Sequence, residues 1–353
     1  MTESYQDVYA RWQQDPEGFW REAARAVDWT KPPEAVFDPS SGVYGRWFPD
    51  AELNTCYNAA DRHAEGGRGD QKAIIYDSPM TGERRSYTYR DLLLEVKALA
   101  GVIASLGVGK GDRVIIYMPM VPEAVFAMLA CARLGAVHSV VFGGFAAHEL
   151  ATRIDDSQAR LIITASCGLE PGRTVAYKPL VDSAIEEAKH KPAHCLLLQR
   201  PELQANLVAG RDVDYAEAMA DIRARGGDQI DCVPIDVPET APVGLCYTSG
   251  TTGQPKGVVR DNGGHAVALA WSLKNVFGIE PGDVYWAASD IGWVVGHSYI
   301  VYGPLIAGMA TLMFEGTPVQ PDAAILWSLV EKYRVTVMFS APTAVRVLKK
   351  HDA

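Results

Sequence analysis

The sequence lacks the features that would place it in several common classes of protein. Its six cysteines form no Cys-x-x-Cys pair, so neither a zinc knuckle nor a dithiol redox motif is predicted. Its formal net charge is −10, and such a chain lacks the basic surface that neutralises nucleic-acid phosphates. We therefore expect no nucleic-acid partner, no dedicated metal site, and buried thiols in a reducing compartment.

No signal peptide is predicted, because no basic segment followed by an apolar one stands in the first residues. One uncharged stretch, residues 291–314, is long enough to span a bilayer. It contains Pro304 and four glycines, which divide its apolar residues into two short runs. We expect this stretch to be buried core rather than a membrane span, and the protein to be cytoplasmic.

Strand-like apolar runs alternate with helical patterns over most of the chain. This alternation predicts an α/β protein with mostly parallel sheets covered by helices on both faces. Thr88 and Asp91 are spaced as a capping box for a helix over 89–106, and Pro122 is suited to begin a helix that ends at Leu134. The alternation is interrupted between about residues 200 and 240.

Three units are predicted along the chain. Residues 1–62 are rich in Trp and Pro and form an N-terminal wrapping extension with short helices. Residues 63–235 form a first α/β subdomain, and residues 236–353 form a second one that is incomplete at its C-terminal end.

The strongest functional signal is the segment YTSGTTGQPKG, residues 247–257, directly after an apolar strand. Its glycines let the backbone turn tightly, and successive N–H groups can form a concavity that binds an anion. Its hydroxyls can donate to phosphate oxygens, and its lysine adds a mobile positive charge. This composition predicts a grip on a triphosphate, with Lys256 as the catalytic cation. The predicted phosphate-binding residues are Thr248, Ser249, Gly250, Thr251, Thr252, Gly253, Lys256 and Gly257.

Two better-known phosphate motifs are excluded. A Walker-type P-loop needs a hydroxyl residue after its lysine to hold magnesium, whereas Gly257 follows Lys256. The glycines at 107, 109 and 111 have the wrong spacing for a dinucleotide fingerprint and lead from a helix into a strand. They predict a helix C-cap and a turn.

The segment YTSGTTGQPKG resembles the signature loop of the acyl-adenylate-forming superfamily, which includes acyl-CoA synthetases, luciferases and peptide-synthetase adenylation domains. Residues 106–145 and 290–316 resemble the acetyl-CoA synthetase group. Residues 53–63, 170–180 and 258–277 are closer to its propionate–CoA ligase branch. The resemblance covers essentially the whole chain.

This resemblance implies the N-terminal part of an adenylation domain and an AMP-forming ligase. In that family a carboxylate attacks the α-phosphorus of ATP to give acyl-AMP and pyrophosphate, and the thiol of coenzyme A then expels AMP. The implied substrates are propionate, ATP and CoA, with Mg²⁺ as cofactor. Acetate is the alternative acid, and a non-catalytic nucleotide-binding module is an alternative of another class. The segments that hold adenine, ribose and magnesium, and the adenylation lysine, are expected beyond residue 353, so we expect negligible thioester formation by these residues alone.

The resemblance also implies an acyl pocket at Trp293, Val294 and Val295. Acetate enzymes commonly carry threonine at the position of Val295, and loss of that hydroxyl suits an ethyl group. One methylene contributes only about 1–3 kcal/mol of discrimination, so acetate is expected to react more slowly rather than be excluded.

For coenzyme A, the resemblance implies backbone at Gly144 and the side chain of Arg173. Glu170 stands where a second cation is expected, and a carboxylate cannot bind nucleotide phosphates. For His297 we expect a hydrogen-bonded structural role rather than catalysis.

Overall fold

The computed structural model describes residues 4–236, 244–248 and 256–351. In this part of the chain the helices are α1 (Tyr5–Gln14), α2 (Pro16–Ala23), α3 (Tyr89–Ser105), α4 (Pro122–Leu134), α5 (Ala147–Ser157), α6 (Tyr177–Glu187), α7 (Tyr215–Ala224), α8 (Gly263–Asn275), α9 (Gly303–Ile306), α10 (Ile325–Tyr333) and α11 (Pro342–His351). A 3-10 turn covers Ala24–Ala26, and π-helical segments cover Tyr57–Asp61, Ala64–Arg68 and Gly296–Tyr302.

The strands alternate with these helices. They are β1 (Phe37–Asp38), β2 (Arg46–Trp47), β3 (Glu52–Leu53), β4 (Lys72–Asp77), β5 (Arg84–Thr88), β6 (Arg113–Tyr117), β7 (Val137–Val140), β8 (Leu161–Ala165), β9 (Cys167–Glu170), β10 (Arg173–Ala176), β11 (His194–Leu198), β12 (Asp212–Asp214), β13 (Ile235–Asp236), β14 (Gly244–Thr248), β15 (Lys256–Arg260), β16 (Val284–Ala288), β17 (Ala310–Phe314) and β18 (Val337–Ser340).

Two larger sheets carry the fold, and both are mostly parallel. The seven-stranded sheet has the order β12-β11-β8-β6-β7-β14-β15, with β15 antiparallel to β14. The five-stranded sheet has the order β18-β16-β17-β4-β5, with β5 antiparallel to β4. The central strands of both are apolar and buried, as expected for sheets covered on both faces. The predicted α/β class is confirmed.

The local signals locate several elements correctly. The Thr88 side chain and Asp91 form the predicted capping box at the start of α3. The α4 helix begins at Pro122 and ends at Leu134, as predicted, and Gly135 follows in the left-handed conformation. Each of these signals is local in sequence, so neighbouring residues suffice to place the element.

Other elements differ from the expectation. β12 and α7 lie in the region where the alternation was interrupted, and the Asp214 side chain caps α7 by accepting from two backbone N–H groups. Residues 291–314 are largely buried, as expected, but the π-helical segment Gly296–Tyr302 precedes the short α9 there. Of the helices described, none combines the length and the apolar character that crossing a bilayer requires.

The division into units at residues 62 and 235 stays a prediction. The short strand β3 pairs with β13, so the N-terminal segment is joined to the segment that precedes β14. The large sheets also take strands from both sides of residue 235, because β4 pairs with β17 and β14 pairs with β7.

A buried ion pair connects the N-terminal segment to helix α4. Arg133, at the C-terminal end of α4, donates to both carboxylate oxygens of Asp61, at 2.8 and 3.0 Å. The two side chains are only 1% and 5% exposed. The Asn54 amide donates to the carbonyls of Arg133 and Val233, so three distant segments meet at this point.

We expect the substitution Asp61→Asn to destabilise the protein by about 3–5 kcal/mol, because it leaves the Arg133 charge buried without its partner. Thermal and urea denaturation would measure the loss. Asp70→Asn is the matched control: Asp70 is 93% exposed and its pair with Arg90 lies at the surface, so a change of no more than about 1 kcal/mol is expected. Equal effects of the two substitutions would contradict the prediction.

Candidate active site

The carboxyl ends of the parallel strands face each other across a cavity between the two large sheets. Ligands of open α/β sheets bind outside these ends, where the loops leave the sheet. The cavity has a volume of about 270 Å³ and is lined in part by residues 118–120 after β6, 142–144 after β7, 288–290 at the end of β16 and 314–316 at the end of β17. Topology therefore collects four separate segments into one site.

The predicted phosphate-binding segment joins the antiparallel strands β14 and β15. Their last register pair is Thr248 and Lys256, and the pair before it is Tyr247 and Gly257. Lys256 is exposed, so its ammonium group is available to an anion. The other predicted phosphate-binding residues lie outside the described part of the chain; they are Ser249, Gly250, Thr251, Thr252 and Gly253.

Helix α5 holds this hairpin through Tyr247. The Tyr247 hydroxyl donates to Asp156 Oδ2 at 2.6 Å, and burial raises the pKa of Tyr247. The guanidinium of Arg153 lies 5.4 Å from the Tyr247 ring centroid and 4.7 Å from that of Phe145. Sequence reasoning missed Asp156 and Arg153, because their only local signal is an ordinary polar helix face.

The predicted acyl-pocket residues lie against the loop that follows β7. The Trp293 ring is 5.3 Å from Phe142 and 6.3 Å from Phe145, centroid to centroid. A Cβ at Gly292 would lie 2.6 Å from Phe142 Cα, so only glycine allows this approach. Trp293 is 47% exposed, and its ring can contact a ligand.

The two valines beside Trp293 differ in environment. Val294 is exposed, whereas Val295 is half-buried and packs on the main core. The Val294 side chain is therefore accessible from solvent, while Val295 lies at the margin of the core.

The two predicted CoA-binding residues differ in their surroundings. Gly144 lines the cavity, and so does Glu170. Arg173 lies across the β9–β10 hairpin from Glu170, and its Nη2 is 2.6 Å from Glu170 Oε2. The glutamate that departs from the expected pattern therefore neutralises the arginine in this structure.

Of the three carboxyl groups that line the cavity, those of Glu315 and Asp290 have partners other than Arg173. Glu315 accepts from Arg200 Nη1 at 2.6 Å and from the hydroxyls of Tyr76 and Ser78. The Asp290 carboxylate accepts from the backbone N–H of Gly292 at 2.7 Å. Burial raises the pKa of Asp290 to about 6, and the Gly292 hydrogen bond opposes this shift.

His297 is buried near the site. Burial and, to a smaller extent, the charge of Arg260 lower its pKa to about 4, so its ring is neutral at pH 7. Its Nε2 has no hydrogen-bond partner in the described residues, and the hydrogen-bonded role that we predicted is not supported at that atom.

One group of side chains has the spacing of metal ligands, namely Cys56, Asp61 and Cys232. Arg133 Nη1 already lies 2.8 Å from Asp61 and 3.1 Å from the Cys232 sulfur, so a metal ion there would meet a buried cation. Thiols are also poor ligands for magnesium, which prefers oxygen. These residues do not fit Mg²⁺.

Comparison with known protein families identifies the class of protein. Residues 60–353 match the family model of the AMP-binding enzyme, and residues 5–59 match that of the acetyl-coenzyme A synthetase N-terminus. The chain belongs to the AMP-binding enzyme family, in its acetyl-CoA synthetase-type branch.

The chain is also similar to individual proteins with named activities. The chain is 50% identical over 347 residues to the propionate–CoA ligase of Escherichia coli (strain K12), covering 98% of the chain and 54% of that protein. It is 48% identical over 350 residues to the human mitochondrial acyl-CoA synthetase short-chain family member 3, covering 99% and 50%. The chain spans about half the length of the curated relatives that it matches.

The raised pKa of Asp290 predicts a pH-dependent stability. Because the pKa is about 6 when folded and 3.8 in the reference state, the folded protein holds a proton that the unfolded chain releases. The contribution of this proton to the free energy of unfolding is complete below about pH 4 and is lost as the pH rises through 6.

The substitution Asp290→Asn keeps an acceptor for Gly292 and removes the titration. We expect its stability relative to the unsubstituted protein to be about 1.5 kcal/mol greater at pH 7.5 than at pH 5. Denaturant titrations at the two pH values would measure the difference, and an identical effect at both would contradict the assignment.

Proposed function

We propose that this chain supplies the phosphate-binding and acyl-binding parts of an AMP-forming propionate–CoA ligase. The whole protein would convert propionate, ATP and CoA to propionyl-CoA, AMP and pyrophosphate through propionyl-AMP. The observation that carries the proposal is the shared location of two features: the β14–β15 hairpin with Lys256 and the contact of Trp293 with Phe142 both lie at the carboxyl ends of the strands.

In the proposed first step, a carboxylate oxygen of propionate attacks the α-phosphorus of ATP, and the bond from that phosphorus to the bridging oxygen of pyrophosphate breaks. The reacting carboxylate and triphosphate are both anionic, so orientation and charge neutralisation lower the barrier. Lys256 is exposed at the start of β15, and we assign it to the β- and γ-phosphates. Backbone N–H groups of the loop would bind the same oxygens.

The proposed acid site uses the apolar side chains beside the cavity. The ethyl group of propionate would contact Trp293, Val294 and Val295. The names of the relatives support a short-chain acid, and the E. coli relative is named for propionate. In the second proposed step, the CoA thiol attacks the acyl carbon and AMP leaves. Gly144 lines the cavity, and we assign its backbone to the CoA side of the site.

Arg173 is the less direct part of the CoA proposal. Its guanidinium is paired with Glu170, so a CoA phosphate would have to compete with that carboxylate. We propose that Arg173 contributes to CoA binding only when this exposed pair opens, which costs little because exposed ion pairs are worth about 0–1 kcal/mol.

Lys256→Ala tests the phosphate assignment. In protein of the relatives' full length, we expect propionate-dependent exchange between ATP and pyrophosphate to slow by roughly 10- to 100-fold, the value of one charge-assisted hydrogen bond. Lys349→Ala removes an exposed lysine from α11 and should leave the rate unchanged. The assignment fails if exchange is unaffected in the Lys256 variant, or if both variants lose the same activity.

Val295→Thr tests the acid preference. We expect the ratio of kcat/KM for propionate to that for acetate to fall, by no more than about tenfold, because a hydroxyl at this half-buried position disfavours the additional methylene. Val43→Thr is the control, since Val43 is 90% exposed. A parallel loss with both acids would indicate a packing defect rather than a change in specificity.

A further inference from the structure

A second cavity lies at the amino-terminal ends of the strands of the five-stranded sheet. It has a volume of about 450 Å³, and its lining includes Arg68, Pro281 and Met309. These residues precede β4, β16 and β17, so the cavity lies at the amino ends of parallel strands whose carboxyl ends face the candidate active site. Five residues of strand span roughly 17 Å, and the two cavities are therefore separate.

The charges that line this cavity contrast with those of the chain. Four of them are cations, Arg25, Arg62, Arg68 and Lys274, and two are carboxylates, Asp28 and Glu280. Four minus two leaves an excess of two positive charges, in a chain whose formal net charge is −10.

The histidine in the same cavity adds no charge at neutral pH. Burial, followed by the charge of Arg62, lowers the pKa of His63 to about 4. The positive charge of the cavity therefore comes from the arginines and the lysine.

The half-buried Arg62 has a donor atom without a partner among the described residues. Arg62 lies 3.7 Å from Asp28 and donates to the carbonyls of Ala26 and Ile306. Its Nε is buried and has no hydrogen-bond partner in the described part of the chain. A buried donor without an acceptor costs free energy, so this atom favours an acceptor that enters the cavity.

The other three cations have no carboxylate partner within ion-pair distance. Among residues 4–236, 244–248 and 256–351, no carboxylate oxygen lies within 4.0 Å of the charged groups of Arg25, Arg68 or Lys274. Arg68 makes only a 3.5 Å contact with His63 Nδ1. Three cations thus border the same space as Arg62, and no carboxylate of the described residues neutralises them.

We infer that this cavity is a second anion site, which binds a small molecule through a phosphate group. Arg25, Arg68 and Lys274 would supply charge-assisted hydrogen bonds to its oxygens, a role for which arginine and lysine are both suited. The repulsion among the unneutralised cations falls when a dianion occupies the cavity. Asp28 and Glu280 limit the size and charge of the ligand, because a larger polyanion would approach both carboxylates.

Titration calorimetry with sodium pyrophosphate, in metal-free buffer of low ionic strength, tests this inference. The double variant Arg25→Gln/Lys274→Gln removes two exposed cations of the cavity, and a folded protein is expected because neither side chain is buried. We expect the affinity of this site to weaken by at least about tenfold. Thermal denaturation of the variant without ligand would verify that it is folded.

Two further variants distinguish binding in this cavity from a general effect of net charge and from binding at the β14–β15 hairpin. Lys189→Gln/Lys349→Gln changes the net charge equally at exposed positions outside the cavity, and it should change the affinity by less than about twofold. Lys256→Ala, at the β14–β15 hairpin, should leave the cavity's binding intact. Unchanged affinity in the cavity variant, an equal loss in the charge-matched control, or loss of all pyrophosphate binding in Lys256→Ala would overturn the inference. The last result would leave the function proposed for the hairpin standing.

Discussion

A buried ion pair joins the two large sheets at the wall of the candidate active site. Arg200 follows β11 of the seven-stranded sheet, and Glu315 follows β17 of the five-stranded sheet. Two hydrogen bonds connect them, at 2.6 and 3.0 Å, and Tyr76 and Ser78 complete the carboxylate's shell. Separating the two side chains would leave buried charges without partners, so this contact favours the arrangement in which the carboxyl ends of the strands face each other.

The cavity that results depends on close backbone approach as well as on charge. Gly292 lies against the Phe142 backbone at a distance that excludes any side chain. This approach brings the Trp293 ring onto Phe142 and so joins a loop after β16 to a loop after β7. The same loop after β7 contributes Gly144 to the cavity. One glycine thus links the proposed acyl site to the proposed CoA site.

The distribution of charge differs between the carboxyl-terminal and the amino-terminal ends of the strands in the five-stranded sheet. The carboxyl end contains Asp290 and the neutralised Glu315, and in the proposed function Lys256 of the β14–β15 hairpin would supply the cation for ATP. At the amino-terminal end, the second cavity is lined by more cations than carboxylates. The net charge of −10 therefore does not predict the local charge at either end of the strands, because the local field depends on which side chains folding brings together.

Much of the secondary structure could be predicted from the sequence, because its signals are local. The capping box at Thr88 and the proline at the start of α4 locate their helices with only a few neighbouring residues. The segment around Asp214 was missed, since its polar composition conceals the spacing of Tyr215, Met219 and Ile222, which are buried in α7. The relation to the AMP-binding enzymes could also be predicted, because the segment ending at Gly257 is contiguous and distinctive.

The sequence by itself determined the class of fold and the family, and it provides the prediction of a phosphate-binding segment. Tertiary structure alone decided that β4 pairs with β17 and β14 with β7, that Glu170 neutralises Arg173, and that unpaired cations from distant segments border one cavity. The physical reason is range: capping, turns and periodicity depend on residues a few positions apart, whereas strand order and charge pairing depend on groups that only folding brings together.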